Sequence, residues 1–213
     1  MNLDDLAHGL DWQGEDLAGW YLSEKFRGVR GLWDGSRLWT RGGNVIAAPI
    51  AFTDALPKGV TLDGEVWAGR EPIETKARLA ARFGGRHWTS AVRLVVFDAP
   101  QASGDWLDRM ATAKRALAGC PVASVVAVTL CQSTEHAVEL MREIQAAGGE
   151  GIIARKPGVR SCPGRSRDIL KLKRETPATL RTDSEADMLL AGFMAQIMAK
   201  PTKTLSDSVE VAA

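Results

Sequence analysis

The sequence predicts an α+β domain with mainly antiparallel sheets and flanking helices. Three observations carry this. Short β-type runs alternate with Gly, Asp and Pro turn signals along most of the chain. Only a few stretches show helical periodicity, and no internal repeat or low-complexity tract interrupts the pattern.

Taken in order, residues 20–22, 37–40, 60–67 and 92–97 read as strands, each bounded by Gly, Asp or Pro. Residues 72–83 and 106–118 read as helices, and the β-branched run 122–130 as strand-like. Ser133 or Thr134 can cap a further helix, with Glu135 in its first turn. Ala137, Leu140, Met141, Ile144 and Ala147 form its apolar face, and Gly148 and Gly149 end it. Residues 151–156 and 168–173 are two more strands, joined by a Pro/Gly/Ser/Arg loop. After Lys173 the character shifts. A linker over 174–184, a Met-rich apolar helix over 186–199 and a polar tail over 201–213 are expected, so one domain covers about 1–175 and a second segment 176–213.

A chain of 213 residues, 45% hydrophobic and 25% charged, is ordinary globular material. A net charge of +1 excludes the global basic footprint of a nucleic-acid coater. The charge is unevenly placed, however: residues 155–174 hold eight Lys or Arg against one acid, Asp168. That stripe is an anion-binding surface or a solvated loop, and composition does not separate the two. Cys120, Cys131 and Cys162 form no CxxC pair, which argues against a zinc ribbon or a disulfide framework and suits reduced thiols in the cytoplasm. The acidic start MNLDDLAHGL lacks the features of a secretory signal, and the apolar run 188–199 is too short to span a bilayer.

The residues that suit chemistry lie in five places. In SEKFRGVRGLWDG, residues 23–35, Lys25, Arg27 and Arg30 crowd together around Gly28. An extended entry puts Lys25 and Arg27 on one side, a group of cations suited to one anion such as a phosphate. A lysine becomes a covalent nucleophile when desolvation or neighbouring cations lower its pKa. In TLDGEVW, residues 61–67, a strand would place Asp63 and Glu65 on one face, fit for a divalent metal or a ribose, and Leu62 and Val66 on the other. Phe97 ends a strand as a core ring or a base-stacking one. GGEGIIAR puts Glu150 between glycines at the mouth of a buried strand. In ILKLK, Lys171 and Lys173 share a face while Leu170 and Leu172 turn to a core.

The order of these motifs is more telling than any one of them. Lys-x-x-Gly-x-Arg, Thr-Arg-Gly-Gly-Asn, Asp-Gly-Glu, a strand ending Phe-Asp, Glu-Gly-Ile-Ile-Ala-Arg and Leu-Lys-Leu-Lys resemble the ordered motifs of the covalent nucleotidyltransferases. Within these, the resemblance is to the small bacterial and phage ATP-dependent DNA ligases, over about residues 18–175.

The resemblance implies an ATP-grasp-like nucleotidyltransferase (adenylation) domain that uses ATP and Mg²⁺. By it, Lys25 attacks the α-phosphate of ATP and carries AMP, with Ser23 and Glu24 in the approach to the pocket. Arg30 and Arg41 contact sugar and phosphates, Glu65 the ribose or the metal's water shell, and Phe97 stacks on adenine. Glu150 helps hold the metal, and Lys171 and Lys173 neutralise the α-phosphate. Arg155, Lys156, Arg165 and Arg167 meet the backbone of a nicked duplex. A monomer without membrane attachment is expected. Related readings are an RNA ligase or another lysine-adenylating enzyme, and a non-catalytic nick- or end-binding protein.

Two departures stand out. The family usually has an aspartate two residues after the nucleophile, where this chain has Arg27. Such a change adds a cation beside Lys25 and removes a carboxylate, so activity is expected to be retained but altered. Second, the residues after Arg174 are too few for the five-stranded OB-fold domain these ligases carry. A partner supplying that function is one way to complete the enzyme.

Overall fold

The computed structural model describes residues 6–70, 77–78, 80–82, 84–160 and 164–173. The expected linker, Met-rich helix and tail, and the boundary near residue 175, lie outside the described residues.

Two five-stranded sheets make up the fold. The first has the order β1 (Ala7–Asp11), β10 (Gly164–Lys173), β9 (Gly151–Arg155), β2 (Tyr21–Lys25), β8 (Thr129–Leu130). The second has the order β4 (Leu38–Thr40), β3 (Val29–Trp33), β5 (Leu62–Trp67), β6 (Arg93–Asp98), β7 (Ala123–Val125). Pairing is antiparallel throughout except β1 with β10 and β6 with β7. Among the described residues the helices include α1 (Ile50–Asp54), α2 (Trp106–Ala116) and α3 (Thr134–Ala146). Of the helix expected over 72–83, the described positions 77, 78 and 80–82 are helical.

Strand alternation decides what each sheet buries. In the first sheet Leu22, Ile152, Ala154, Leu170 and Leu172 face α3, where they meet Ala137, Val138 and Met141. Burying each such leucine contributes about 1.5–3 kcal/mol relative to exposure. Helix α3 starts where Ser133 Oγ accepts the His136 N–H, and it gives way to Gly148 at φ 83°. In the second sheet Trp33, Leu62, Val66, Leu94 and Val96 pack with Phe52 of α1, with Ala77, Ala80 and Ala81, and with Ala113 and Leu117 at the end of α2. The capping box of Asp105 and Asp108 starts α2.

Each sheet is thus backed by helix on one face, and the two free faces look at each other. Where they converge, Tyr21, Phe26, Trp67, Val95, Phe97, Trp106 and Met110 form a third apolar cluster. One of the expected elements is revised. The run 122–130 divides at residues 126–128, so that β7 joins the second sheet and β8 the first. Strands β1 and β3 are not expected as strands; β1 forms an edge of the first sheet, and β3 lies between β4 and β5 in the second. Asp34 makes the Trp-Asp-Gly turn after β3: its Oδ1 accepts the N–H groups of Ser36 and Arg37, and Gly35 takes φ 96°.

Candidate active site

A cavity of about 510 Å³ lies between the free faces of the two sheets. Ser23, Glu24, Lys25, Arg30, Arg41, Glu65, Phe97, Lys171 and Lys173 line it.

The register explains why the lysines converge. Lys25, Gly151 and Lys173 are partners across β2, β9 and β10, and Ser23, Ile153 and Lys171 form the next row. Tyr21, Arg155 and Ile169 form the row beyond. Lys25, Lys171 and Lys173 therefore share the cavity face, while the intervening Leu22, Leu170 and Leu172 are buried against α3. Gly151 sits in the row of Lys25 because a Cβ there would run into the Leu172 carbonyl oxygen.

Lys25 Nζ lies 2.5 Å from Glu150 Oε1, and the other oxygen of that carboxylate is 3.8 Å from Arg27 Nε. Glu24, beside Lys25, turns to Arg70, which donates to Glu24 Oε2 at 2.7 Å and to the Ala147 carbonyl at 3.0 Å. Arg70 thereby ties the loop after β5 to the end of α3. From the opposite sheet, Glu65 accepts the Gly28 N–H at 2.8 Å. Burial pushes its carboxyl up to about 7, against the pull of that hydrogen bond, Lys25 and Arg30. Gly28 is required by close approach: a Cβ would strike the Val66 carbonyl oxygen and crowd Glu65.

Asp63 and Glu65 share the cavity face of β5, yet they serve different ends. Arg30 donates to both oxygens of Asp63 at 2.9 and 2.6 Å, to His8 Nδ1 at 2.9 Å and to the Ala7 carbonyl at 3.0 Å. Two of its five N–H donors are thus spent on Asp63 of the neighbouring β5 and two on fastening β1 to the second sheet, which leaves one for a ligand. Burial and then the neighbouring Arg30 push His8 below its ordinary pKa, so it stays neutral and accepts. Asp98, opposite Asp63 in the register, has its own guanidinium: Arg109 donates at 2.7 and 3.1 Å, with both side chains buried.

Arg155 differs from the exposed duplex contact expected of it. It is buried, with its guanidinium 5.0 Å from the Trp106 ring centroid and 5.7 Å from that of Phe97. Burial lowers its pKa, which the charges of Asp98 and Asp63 oppose. The guanidinium of Arg30 is 5.5 Å from the same Phe97 centroid, so the ring ends β6 in a cationic setting at the cavity wall. Lys156, Arg165 and Arg167 are exposed; Arg165 lines the cavity, and Arg167 is 3.0 Å from Glu15. Arg41 is held out on the turn after β4, where Asn44 N–H bonds Thr40 Oγ1.

Sequence reasoning missed the contribution of β1. Its residues His8 and Asp11 line the cavity, and Asp11 Oδ1 lies 3.5 Å from Lys171 Nζ. The parallel pairing of 7–11 with 164–171 leaves no local signal in AHGLD.

The likeness of this chain to known proteins covers most of its length. A DNA ligase of Haemophilus influenzae is 31% identical over 164 residues, 76% of this chain and 60% of that protein. Among solved structures, a Lig E DNA ligase superposes with a TM-score of 0.71 at 28% identity, covering 79% of this chain and 68% of that one. The fold is that of a DNA ligase nucleotidyltransferase domain. Chlorella virus DNA ligase–adenylate shows the same fold at TM-score 0.67 and 17% identity, over 80% of this chain and 67% of the viral one. No family model matches the sequence. The chain spans 60% of the length of the curated ligase it matches.

The carboxylates accord with the metal expected of such a domain. Glu150 and Glu65 both neighbour Lys25, and a magnesium ion takes one or two carboxylates together with substrate phosphates. Among the described residues no group of three or more His, Cys, Asp or Glu could hold a metal ion unaided. Among them, too, no helix is long and apolar enough to cross a membrane.

Proposed function

We propose that this chain seals nicks in duplex DNA at the expense of ATP, through AMP carried on Lys25. The observation that carries the reading is the row of Lys25, Gly151 and Lys173 with Lys171 one step away, facing Phe97 and Glu65 across one cavity. These groups cover what nucleotidyl transfer to an amine requires: a nucleophile, cations at the phosphate and a ring for the base.

Glu150 holds Lys25 in place. Once its proton has passed to solvent, the amine attacks the α-phosphorus. A P–N bond forms as the P–O bond to pyrophosphate breaks, and the leaving oxygen takes the electron pair. Lys171 and Lys173 meet the negative charge that builds on the α-phosphate. Glu65, balanced between its two protonation states near neutral pH, serves the ribose hydroxyls as acceptor or donor. Glu150 and Glu65 would hold magnesium, which when bound would supply further charge neutralisation at the phosphates. Phe97 presents its ring to the adenine, and the guanidinium of Arg155, also at the cavity wall, lies 5.7 Å from that ring. AMP then passes to a DNA 5′-phosphate, and the adjacent 3′-hydroxyl displaces it.

Exposed Lys156, Arg165 and Arg167 are assigned to the duplex backbone, and Arg155 leaves that group for the nucleotide pocket. The chain is read as a monomer acting in the cytoplasm, with an OB-type function supplied by a further domain or partner. The test is joining of nicked duplex DNA and of nicked RNA in parallel by the wild type and Lys25→Ala. DNA joining that depends on Lys25 supports the reading; joining of RNA alone would replace it with an RNA ligase.

A further inference from the structure

The cavity has a direction, set by the strand register. Phe97 and Arg155 mark one end, in the row of Tyr21. Ser23 and Lys171 follow one row on, and Lys25 and Lys173 one row further. Each step along a strand is two residues, roughly 6–7 Å. Beyond the row of Lys25 lies Glu150, the residue before Gly151, and on it Arg27. A nucleotide with its base at Phe97 and its α-phosphorus at Lys25 therefore points the rest of its triphosphate at Arg27.

Arg27 is placed to receive it. Its side chain is 52% exposed, and its ion pair with Glu150 spans 3.8 Å, too long for a hydrogen bond. The same carboxylate is held far more closely by Lys25, at 2.5 Å. Arg27 thus keeps its donors for a polyanion, whereas Arg30 has spent four of its five on the fold. A planar guanidinium grips two phosphate oxygens at once, which a point charge does not.

We infer that Arg27 is the binding residue for the leaving pyrophosphate, an inorganic diphosphate site beside Glu150, just past the Lys25 row that lines the cavity. This rests on the lysyl-AMP reading of Lys25. When the triphosphate enters, its terminal phosphates replace Glu150 as the partner of Arg27. As the P–N bond to Lys25 forms and the P–O bond breaks, the charge that develops on the departing oxygen is shared with the guanidinium. In the reverse direction the same contact holds pyrophosphate for attack on the Lys25 adduct, which regenerates ATP and the free amine.

Two measurements on the full chain test this. The first is calorimetric titration of inorganic pyrophosphate into the unadenylated chain in EDTA at low salt. Wild type is expected to bind, Arg27→Lys to bind less tightly, and Arg27→Gln about tenfold more weakly, the loss of one charge-assisted contact. The second follows pyrophosphate-driven loss of AMP from the adenylated chain, where Arg27→Gln is expected to raise the half-saturating pyrophosphate concentration about tenfold. Absence of pyrophosphate binding by the wild type, or equal binding by wild type and Arg27→Gln, would overturn the assignment. So would an Arg27→Gln variant that slows AMP transfer to nicked DNA as much as it slows pyrophosphate-driven reversal, because Arg27 would then act on Lys25 or the adenylate. A wild type that forms no lysyl-AMP would remove the proposed function, while the calorimetry would still decide whether Arg27 holds diphosphate.

Discussion

Replacing Glu65 by Gln separates the stability of the pocket from its function. Glu65 is pushed from 4.5 to about 7 by burial. Below pH 4.5 both folded and unfolded chains are protonated at this position. As pH rises toward 7 the unfolded chain ionises first, so the folded state holds the extra proton and loses stability with each step. At 1.36 kcal/mol per pH unit, a rise from 4.5 to about 7 costs the ionised folded protein about 3 kcal/mol. Glu65→Gln keeps an oxygen for the Gly28 N–H and cannot ionise. Urea unfolding of both proteins in EDTA, at intervals from pH 4.5 to 8, cancels the contributions of every other group when the two curves are subtracted. The variant is expected to gain about 3 kcal/mol on the wild type across that range, with loss of nucleotide binding. Parallel curves would refute the reasoning and show that Glu65 is solvated in the folded state.

Other perturbations follow the same geometry. Gly28→Ala drives a methyl group into the Val66 carbonyl and disturbs the Glu65 bond; a loss of about 1–3 kcal/mol by thermal melting, with loss of adenylation, is expected. Arg109→Met strands the buried Asp98 carboxylate and is expected to cost about 3–5 kcal/mol in urea unfolding, part of which Asp98→Asn recovers in the double variant. Removing the charge of exposed Lys156 is expected to lower the slope of log affinity for nicked duplex against log salt by about 0.9. Arg155→Met, inside the fold, is expected to leave that slope alone and weaken nucleotide binding, read by filter binding and calorimetry.

Much of the pocket was legible because strand alternation writes it into short runs. ILKLK alone separates Leu170 and Leu172 from Lys171 and Lys173, and TLDGEVW separates Leu62 and Val66 from Asp63 and Glu65. The capped start and glycine end of α3 were local signals of the same kind. What stayed hidden depends on partners distant in sequence. Nothing in AHGLD announces a parallel strand against 164–171, and Arg30 reads as a phosphate contact until Asp63 and His8 are seen to hold it. Arg155 stands in a basic stripe, yet the row it shares with Tyr21 and Ile169 turns it inward to Phe97 and Trp106. Nothing local marks the constraint on Gly28, which is the Val66 carbonyl of β5. The pairings of Asp98 with Arg109 and of Glu24 with Arg70 are equally beyond local pattern.

The central claim is that Lys25 is a nucleophile, and the intact mass of the chain after incubation with ATP and magnesium tests it most directly. The wild type is expected to gain the mass of one AMP, mapped to the peptide carrying Lys25 and absent from Lys25→Ala. An unchanged wild-type mass, or the same gain in Lys25→Ala, would contradict it.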